Sequence, residues 1–171
     1  ESAKYGKRVQ ALGGAKNHLV VMPDANLQTA VDGIIGAAYG SSGERCMAIS
    51  VAVAVGDIAD ELVENIKIKA ENLKVAPWTN EESEMGPLIS FEHKEKVLNY
   101  ISQGKSEGAE LLIDGRNISI QGYEKGFYLG PTLFDKVNSN MTIYKDEVFG
   151  PVLSIVRVNN YQEALDLVNN H

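Results

Sequence analysis

The 171-residue chain is 44% hydrophobic and 23% charged, which is the composition of an ordinary globular protein with enough residues for one domain and a real core. Its formal net charge of −7 argues against a nucleic-acid-binding protein, because binding to phosphates requires a basic surface. The single cysteine, Cys46, allows no internal disulfide bond. The longest apolar stretch, MAISVAVAV, is too short to span a bilayer. We therefore expect a cytoplasmic protein with no membrane or nucleic-acid partner.

The first part of the chain predicts strands that alternate with a helix. Residues 7–14, KRVQALGG, predict a strand that ends in a glycine turn, and residues 17–22, NHLVVM, predict a strand whose solid apolar run suits burial on both faces. A helix is expected after Pro23, with Asp24 as its N-cap, and the GSSG segment 40–43 ends it. Its apolar positions recur at steps of three and four residues: Leu27, Ala30, Val31, Ile34, Ile35 and Ala38.

The remaining segments continue this alternation. Residues 47–56 are apolar and β-branched, which is typical of an interior strand, and residues 57–73 have the pattern of an amphipathic helix. A long loop is expected over 74–90, after which Ser90 caps a helix over 91–108. Three more extended segments are expected, at 109–115, within 122–137 and within 147–158. A last helix is expected at 160–170. The order predicts an α/β fold with a mostly parallel sheet flanked by helices.

Cys46 can be interpreted in two ways. A lone cysteine beside apolar strands is commonly a small buried hydrophobic residue. Alternatively it is a nucleophile, since it lies between the end of a helix and the start of a strand, where active-site residues of α/β proteins tend to lie. The small residues Ser41, Ser42 and Gly43 let a ligand approach the backbone there. The C-terminal end of the preceding helix disfavours a thiolate, whereas Arg45 favours one, so electrostatics leaves both interpretations open.

Several separated motifs resemble the catalytic domain of the aldehyde dehydrogenase family, in the same order and over nearly the whole chain from about Lys7 onward. They are LGGAKNHLVV at 12–21, GSSGERC at 40–46, MGPLIS at 85–90, GFYLGPT at 126–132 and KDEVFGPVLSI at 145–155. The details GGAKNH and GERCMA are most similar to the methylmalonate-semialdehyde dehydrogenase branch of the family, whose members acylate coenzyme A. The resemblance implies the fold of that catalytic domain.

The resemblance also implies roles for Cys46, Glu147 and Phe149, and the chemistry of a guanidinium suggests one for Arg45. Cys46 would attack a small semialdehyde substrate and carry the acyl group as a thioester after hydride transfer to NAD, with coenzyme A as the acyl acceptor. Glu147 would accept hydrogen bonds from the hydroxyls of the nicotinamide ribose, and Phe149 would pack near the nicotinamide ring. Arg45 could bind the carboxylate of malonate or methylmalonate semialdehyde through its bidentate fork. Without the resemblance, Glu147 is a surface carboxylate, Phe149 a core residue before a Gly-Pro turn, and Arg45 a partner in a salt bridge.

One position departs from the pattern of the hydrolytic members of the family. Aligned on Lys16, Leu12 stands where those enzymes carry the glutamate that activates water, and a shift by one residue offers Ala11 instead. Neither side chain can accept a proton, whereas coenzyme A carries a thiol that is partly ionised by itself and strongly nucleophilic. The departure favours acyl transfer to coenzyme A over hydrolysis. The other interpretation is that Leu12 simply continues a buried strand.

Three alternative functions stay open at this point: a hydrolytic NAD(P)-dependent aldehyde dehydrogenase, a Cys–His hydrolase, and a fragment that is inactive when isolated. The hydrolase requires His18 or His93 within hydrogen-bonding reach of the Cys46 thiol. The spacing of the three histidines, which include His171, predicts no metal site. We expect a structural role for His18 and a solvated side chain for His93.

Residues 1–171 are expected to form the catalytic domain of a longer polypeptide, because the chain has no initiator methionine and stops inside a helical pattern. The resemblance implies that the NAD-binding domain, the asparagine that stabilises the oxyanion and the C-terminal oligomerisation segment lie outside this sequence. It also implies that the complete protein is a homodimer or homotetramer.

Overall fold

The computed structural model describes all residues from 1 to 171 and confirms the predicted α/β architecture. The strands are β1 (His18–Val21), β2 (Val51–Val55), β3 (Glu110–Ile113), β4 (Thr132–Asp135) and β5 (Val152–Val158). The helices are α1 (Leu27–Tyr39), α2 (Ala59–Glu71), α3 (Phe91–Ser106), α4 (Thr142–Lys145) and α5 (Tyr161–Asn169). Short 3₁₀ turns occupy Ser2–Tyr5, Gly40–Gly43, Gly56–Ile58 and Gly115–Asn117. None of the helices combines the length and the apolar character that a membrane crossing requires.

The five strands form one sheet in the order β1-β2-β5-β4-β3. The pairs β1/β2, β2/β5 and β4/β5 are parallel, and only the β3/β4 pair at one edge is antiparallel. The sheet is therefore mostly parallel, as the alternation of strands and helices predicts.

Both faces of the sheet are covered, and β2 shows how the sequence achieves this. Every residue of Val51–Val55 is buried. Ala52 and Ala54 belong to an apolar cluster with Val31 and Ile34 of α1, whereas the alternate valines of β2 belong to a second cluster with residues from α3, α4 and α5. Successive side chains of a strand point to opposite faces, so an uninterrupted apolar run is what a strand between two helical layers requires.

Two helix starts test the predicted caps. Ser90 caps α3 as predicted, because its Oγ accepts a hydrogen bond from the backbone N–H of His93 at 3.1 Å. The prediction of Asp24 as the cap of α1 is wrong. Asn26 is the cap, with its Oδ1 accepting from the N–H of Thr29 at 2.9 Å, because the residues around Asp24 are taken up by a tight turn that delays the helix.

The predicted strand at 7–14 is also wrong, since these residues form no regular element. Val9 and Leu12 are 66% and 84% exposed, so the apolar residues of this segment find no core to pack on. The segment leads directly into β1 and pairs with no strand, and an extended segment without a hydrogen-bonding neighbour is not stable as a strand. The interpretation of Leu12 as part of a buried strand is therefore excluded.

The topology brings three distant segments together. β1, β2 and β5 are adjacent and parallel, so the residues that precede each strand meet at the amino end of the sheet. These segments are residues 12–17, 41–50 and 146–151. They carry Arg45 and Cys46 on one side and Glu147 and Phe149 on the other, two pairs that are far apart in the sequence.

Candidate active site

The turn that precedes Cys46 has a strained backbone. Ser41, Ser42 and Gly43 have φ angles of 51°, 55° and 70°, and this left-handed conformation costs about 1–2 kcal/mol for each residue that has a Cβ. At Gly43 a side chain is sterically excluded, because an added Cβ would lie 2.2 Å from the carbonyl oxygen of Gly150. The cysteine turn and the loop before β5 therefore touch backbone to backbone at this point.

Ser42 holds the strained turn in place. Its side chain is almost completely buried, and its Oγ donates to the carbonyl oxygen of Gly86 at 2.7 Å, with the carbonyl of Pro87 at 3.3 Å. This hydrogen bond fastens the turn to the loop between α2 and α3. Strained backbone that the surrounding structure fixes in this way is common at functional sites.

Cys46 is exposed, which excludes its interpretation as a buried core residue. It lies in a tight turn that closes by a hydrogen bond from the N–H of Ala48 to the carbonyl of Arg45 at 3.0 Å. The backbone N–H of Cys46 itself makes no hydrogen bond within the chain, so it can donate to a ligand atom beside the thiol. A surface depression of about 620 Å³ at this place is lined by Gly36, Ala37, Glu44, Arg45, Cys46 and Met47.

Asn17 fixes the cysteine turn from the side of β1. Its Nδ2 donates one hydrogen bond to the carbonyl of Cys46 and another to the carbonyl of Ala48, both at 2.9 Å. Sequence reasoning missed this residue, because nothing in the sequence indicates that an amide 29 positions before the cysteine reaches it. Its place directly before β1 becomes informative only when β1 and β2 are known to be neighbours.

Arg45 is anchored to the helix that precedes the turn. Its Nη2 donates to the carbonyl of Gly36 near the C-terminal end of α1 at 2.6 Å, and its guanidinium packs against Gly40. Arg45 forms no ion pair with any carboxylate of the chain, so the salt-bridge interpretation is wrong. A cation suits this place because helix C-termini carry partial negative charge. The other guanidinium donors make no hydrogen bond within the chain and lie beside the depression that Cys46 lines.

Glu147 and Phe149 are both available at the edge of this site. The carboxylate of Glu147 is half-buried and makes neither a hydrogen bond nor an ion pair within the chain, and it lies against Gly14, where an added Cβ would come 3.2 Å from Oε2. Phe149 is 36% exposed, so it is not a core residue. It also has a φ of 56°, which is uncommon for a residue with a bulky side chain.

Lys16 ties the glycine-rich segment before β1 to the loop before β5. Its Nζ donates to the carbonyls of Ile143 and Asp146 at 2.6 and 2.8 Å. Burial lowers the pKa of Lys16 from 10.5 to about 8, although the carboxylates of Asp146 and Glu147 act to raise it. The lysine at the end of the LGGAK motif thus holds Gly14 beside Glu147.

The histidines do not activate Cys46. Both ring nitrogens of His18 are engaged, one with the carbonyl of Lys16 and one with the hydroxyl of Tyr144, each at 3.0 Å, which is the structural role expected for it. His93 is not solvated as predicted, because its Nε2 lies 2.6 Å from the carbonyl oxygen of Phe149. Neither ring is hydrogen-bonded to the thiol, so the Cys–His hydrolase alternative has no support. The chain contains no cluster of three or more potential metal ligands.

The whole chain, residues 1–171, matches the sequence model of the aldehyde dehydrogenase family. It is 55% identical over 172 aligned residues to the malonate-semialdehyde dehydrogenase of Pseudomonas aeruginosa, with all of this chain and 35% of the relative covered. A crystal structure of a methylmalonate-semialdehyde dehydrogenase from Oceanimonas doudoroffii superposes with a TM-score of 0.94 at 51% identity, covering 99% of this chain and 35% of that one. A protein of Sinorhizobium meliloti, solved as a complex with NAD, superposes with a TM-score of 0.93 at 51% identity, covering 96% of this chain and 34% of that one. The chain therefore spans about a third of the length of the relatives it matches.

Proposed function

The chain belongs to the aldehyde dehydrogenase family, and on that premise we propose that the complete protein oxidises malonate or methylmalonate semialdehyde to an acyl-coenzyme A, with NAD as the oxidant. The observation that carries the proposal is the exposed thiol of Cys46 on a clamped turn, in one loop cluster with an unpartnered Glu147 carboxylate. The semialdehyde is inferred from relatives that are named for it.

Cys46 acts as the nucleophile. Its thiolate attacks the aldehyde carbon and forms a C–S bond, and the carbonyl oxygen becomes the oxyanion of a hemithioacetal. The free N–H of Cys46 is one donor that this chain can offer to that oxyanion. Loss of hydride from the same carbon leaves a thioester on Cys46.

The residues at the edge of the site fit the proposed cofactor. A half-buried carboxylate that makes no hydrogen bond within its own chain can accept hydrogen bonds from two neighbouring hydroxyls of a ligand. Glu147 is such a carboxylate, and Gly14, which has no side chain, lies beside it. Glu147 would hold the ribose, and the exposed ring of Phe149 would cover one face of the nicotinamide. When bound, NAD supplies the acceptor for the hydride.

Arg45 suits a substrate that carries a carboxylate. The hydrogen bond to Gly36 fixes the position of its guanidinium, and its remaining donors stay free beside the depression that also contains Cys46. A guanidinium held in this way can bind a carboxylate with little loss of side-chain entropy. The semialdehydes of malonate and methylmalonate both carry that group one carbon away from the aldehyde.

Leu12 supports release of the acyl group by a thiol. Its side chain is 84% exposed and cannot remove a proton from water. The thiolate of coenzyme A needs no such base, because it attacks the thioester carbonyl directly and expels the Cys46 thiolate. Acyl transfer therefore restores the nucleophile without a general base at position 12.

The experiment that tests the proposal uses the complete protein with malonate semialdehyde and NAD. NADH formation is followed with and without coenzyme A, and the product is identified by mass spectrometry. We expect turnover that depends on coenzyme A and gives an acyl-coenzyme A. A free acid formed equally fast without coenzyme A would show that the protein is a hydrolytic aldehyde dehydrogenase.

We also propose that residues 1–171 are the catalytic unit of a homodimer or homotetramer, with the rest of the NAD site supplied by polypeptide outside this sequence. The short share of the relatives' length that the chain spans supports the presence of further polypeptide, and the number of subunits is what the family resemblance implies. Light scattering on the complete protein measures the number of subunits, and a monomer with full activity would contradict it.

A further inference from the structure

The peptide segment of Phe149 and Gly150 is enclosed from two sides. On one side lies the cysteine turn, where a Cβ on Gly43 would collide with the carbonyl of Gly150 at 2.2 Å. On the other side lies α3, where a Cβ on Gly150 would come 2.8 Å from the side chain of Val97. The segment can therefore shift only if the cysteine turn or α3 shifts with it.

His93 of α3 holds the strained residue of this segment. Phe149 has a φ of 56°, and its carbonyl oxygen is 2.6 Å from Nε2 of His93. The two rings also contact each other edge to face, with their centroids 6.2 Å apart. Since a left-handed conformation is unfavourable for a residue with a side chain, a hydrogen bond to its carbonyl is an effective way to retain it.

Glu44 orients the imidazole from the cysteine turn. Its Oε1 lies 3.4 Å from Nε2 of His93 and accepts a hydrogen bond from the N–H of Ile89 at 3.3 Å. A carbonyl and a carboxylate both accept only, so Nε2 must carry the proton. The side chains of Glu44 and His93 are only 13% and 17% exposed, and burial raises the pKa of Glu44. One imidazole thus connects α3, the turn that carries Cys46 and the loop that carries Phe149.

We propose that His93, oriented by Glu44, is a positioning residue that locks the Glu147–Phe149 loop against the cysteine turn and so sets the cofactor edge of the site relative to Cys46. The part of the inference that concerns the cofactor rests on the proposed function. The lock itself is a property of the loops and can be measured without any ligand.

The test compares His93→Ala with His93→Gln, which keeps an N–H donor of similar reach, in the complete protein. Glu95→Ala is the matched control, because Glu95 lies on the same helix, is exposed, and its side chain makes no hydrogen bond. Hydrogen–deuterium exchange of residues 147–150 reports on the lock. Titration reports the Kd for NAD, and the rate of alkylation by iodoacetamide without NAD reports on Cys46.

We expect His93→Ala to speed exchange in residues 147–150 and to raise the Kd for NAD roughly three- to tenfold, the equivalent of one hydrogen bond. Alkylation of Cys46 should stay within about twofold, since Asn17 and Ser42 still hold the cysteine turn. His93→Gln should recover both the exchange rate and the Kd. Unchanged exchange in His93→Ala, or the same losses in His93→Gln, would overturn the inference.

Failure of this inference can be distinguished from failure of the proposed function. If the unsubstituted protein does not bind NAD, the proposed function is wrong, and the exchange rates of residues 147–150 alone test the lock. If it binds NAD and His93→Ala matches Glu95→Ala in exchange and Kd, only the lock is wrong. Should His93→Ala fail to fold, Glu44→Ala against Glu44→Gln gives the same comparison, with faster exchange expected only for the alanine variant.

Discussion

The side-chain amide of Asn17 donates to the backbone carbonyl of Cys46 at 2.9 Å and, with its second proton, to the carbonyl of Ala48 at the same distance. Both protons of the Asn17 amide thus form hydrogen bonds to the turn that carries the thiol. A nucleophile on an exposed turn needs such a brace, because a misplacement of about 1 Å can lower the rate of a reaction a hundredfold.

We predict that Asn17→Asp lowers the rate of NADH formation roughly ten- to a hundredfold, because the carboxylate cannot donate and would face two carbonyl oxygens. Steady-state kinetics on the complete protein measures the effect. The matched control is Asn72→Asp, since Asn72 also donates to a backbone carbonyl, that of Ile68, but lies at the end of α2. Equal rates for the two variants would show that Asn17 does not position Cys46.

Cys46→Ser is expected to abolish dehydrogenase turnover, because a serine hydroxyl without an adjacent base is a far weaker nucleophile than a thiolate. The residue is exposed, so the apparent melting temperature should stay close to that of the unsubstituted protein. Measurable NADH formation above the background of the assay would remove Cys46 from the role of nucleophile.

Leu12→Glu should shift the product from acyl-coenzyme A towards the free acid, because it places a proton acceptor where the hydrolytic members of the family carry one. The side chain is 84% exposed, so the substitution disturbs no core packing. The ratio of the two products is read by mass spectrometry. Val9→Glu, in the same unpaired segment at 66% exposure, is the control and should leave the ratio unchanged. A ratio that moves in neither variant would mean that position 12 is not the position of the base.

Substitutions at Ser42 should separate the hydrogen bond from the backbone strain. Ser42→Ala leaves the carbonyl of Gly86 without its donor and is expected to destabilise the protein by about 1–3 kcal/mol. Ser42→Gly loses the same hydrogen bond but removes the left-handed strain at a φ of 55°. We therefore expect it to destabilise the protein less than Ser42→Ala does. Apparent melting temperatures should fall in the order unsubstituted, Ser42→Gly, Ser42→Ala, and a reversed order of the two variants would contradict the strain at this residue.

Lys16 should make stability depend on pH in the alkaline range. Its pKa is about 8 in the folded protein and 10.5 in the unfolded chain, so the unfolded chain binds more protons between these values. The free energy of unfolding contributed by Lys16 therefore rises as the pH rises from 8 to 10.5, and below pH 8 the cost of burying the charge is fully present. In Lys16→Arg the charge persists, so this rise should be absent. Parallel melting-temperature profiles for the two proteins would show that Lys16 does not titrate in this range.

Much of the fold could be predicted from local patterns. The solid apolar run of β2 and the three- and four-residue steps of α1 depend on side chains near in sequence, and both predictions are confirmed. The wrong predictions concern residues whose structure depends on a contact with a distant part of the chain. The segment around Val9 and Leu12 has strand composition but no neighbouring strand, and His93 sits in a charged helix yet is covered by Glu44 and Phe149.

Residue types and their order were sufficient to identify the α/β class, the family motifs and the candidate residues Cys46, Glu147, Phe149 and Arg45. Which of these side chains are free to bind a ligand depends on the folded arrangement. It shows an unpartnered Glu147 and an Arg45 anchored to α1, and it reveals the brace from Asn17. The physical reason is that adjacent parallel strands bring together segments that are far apart in the chain, and no periodicity of a single segment records which strands are neighbours.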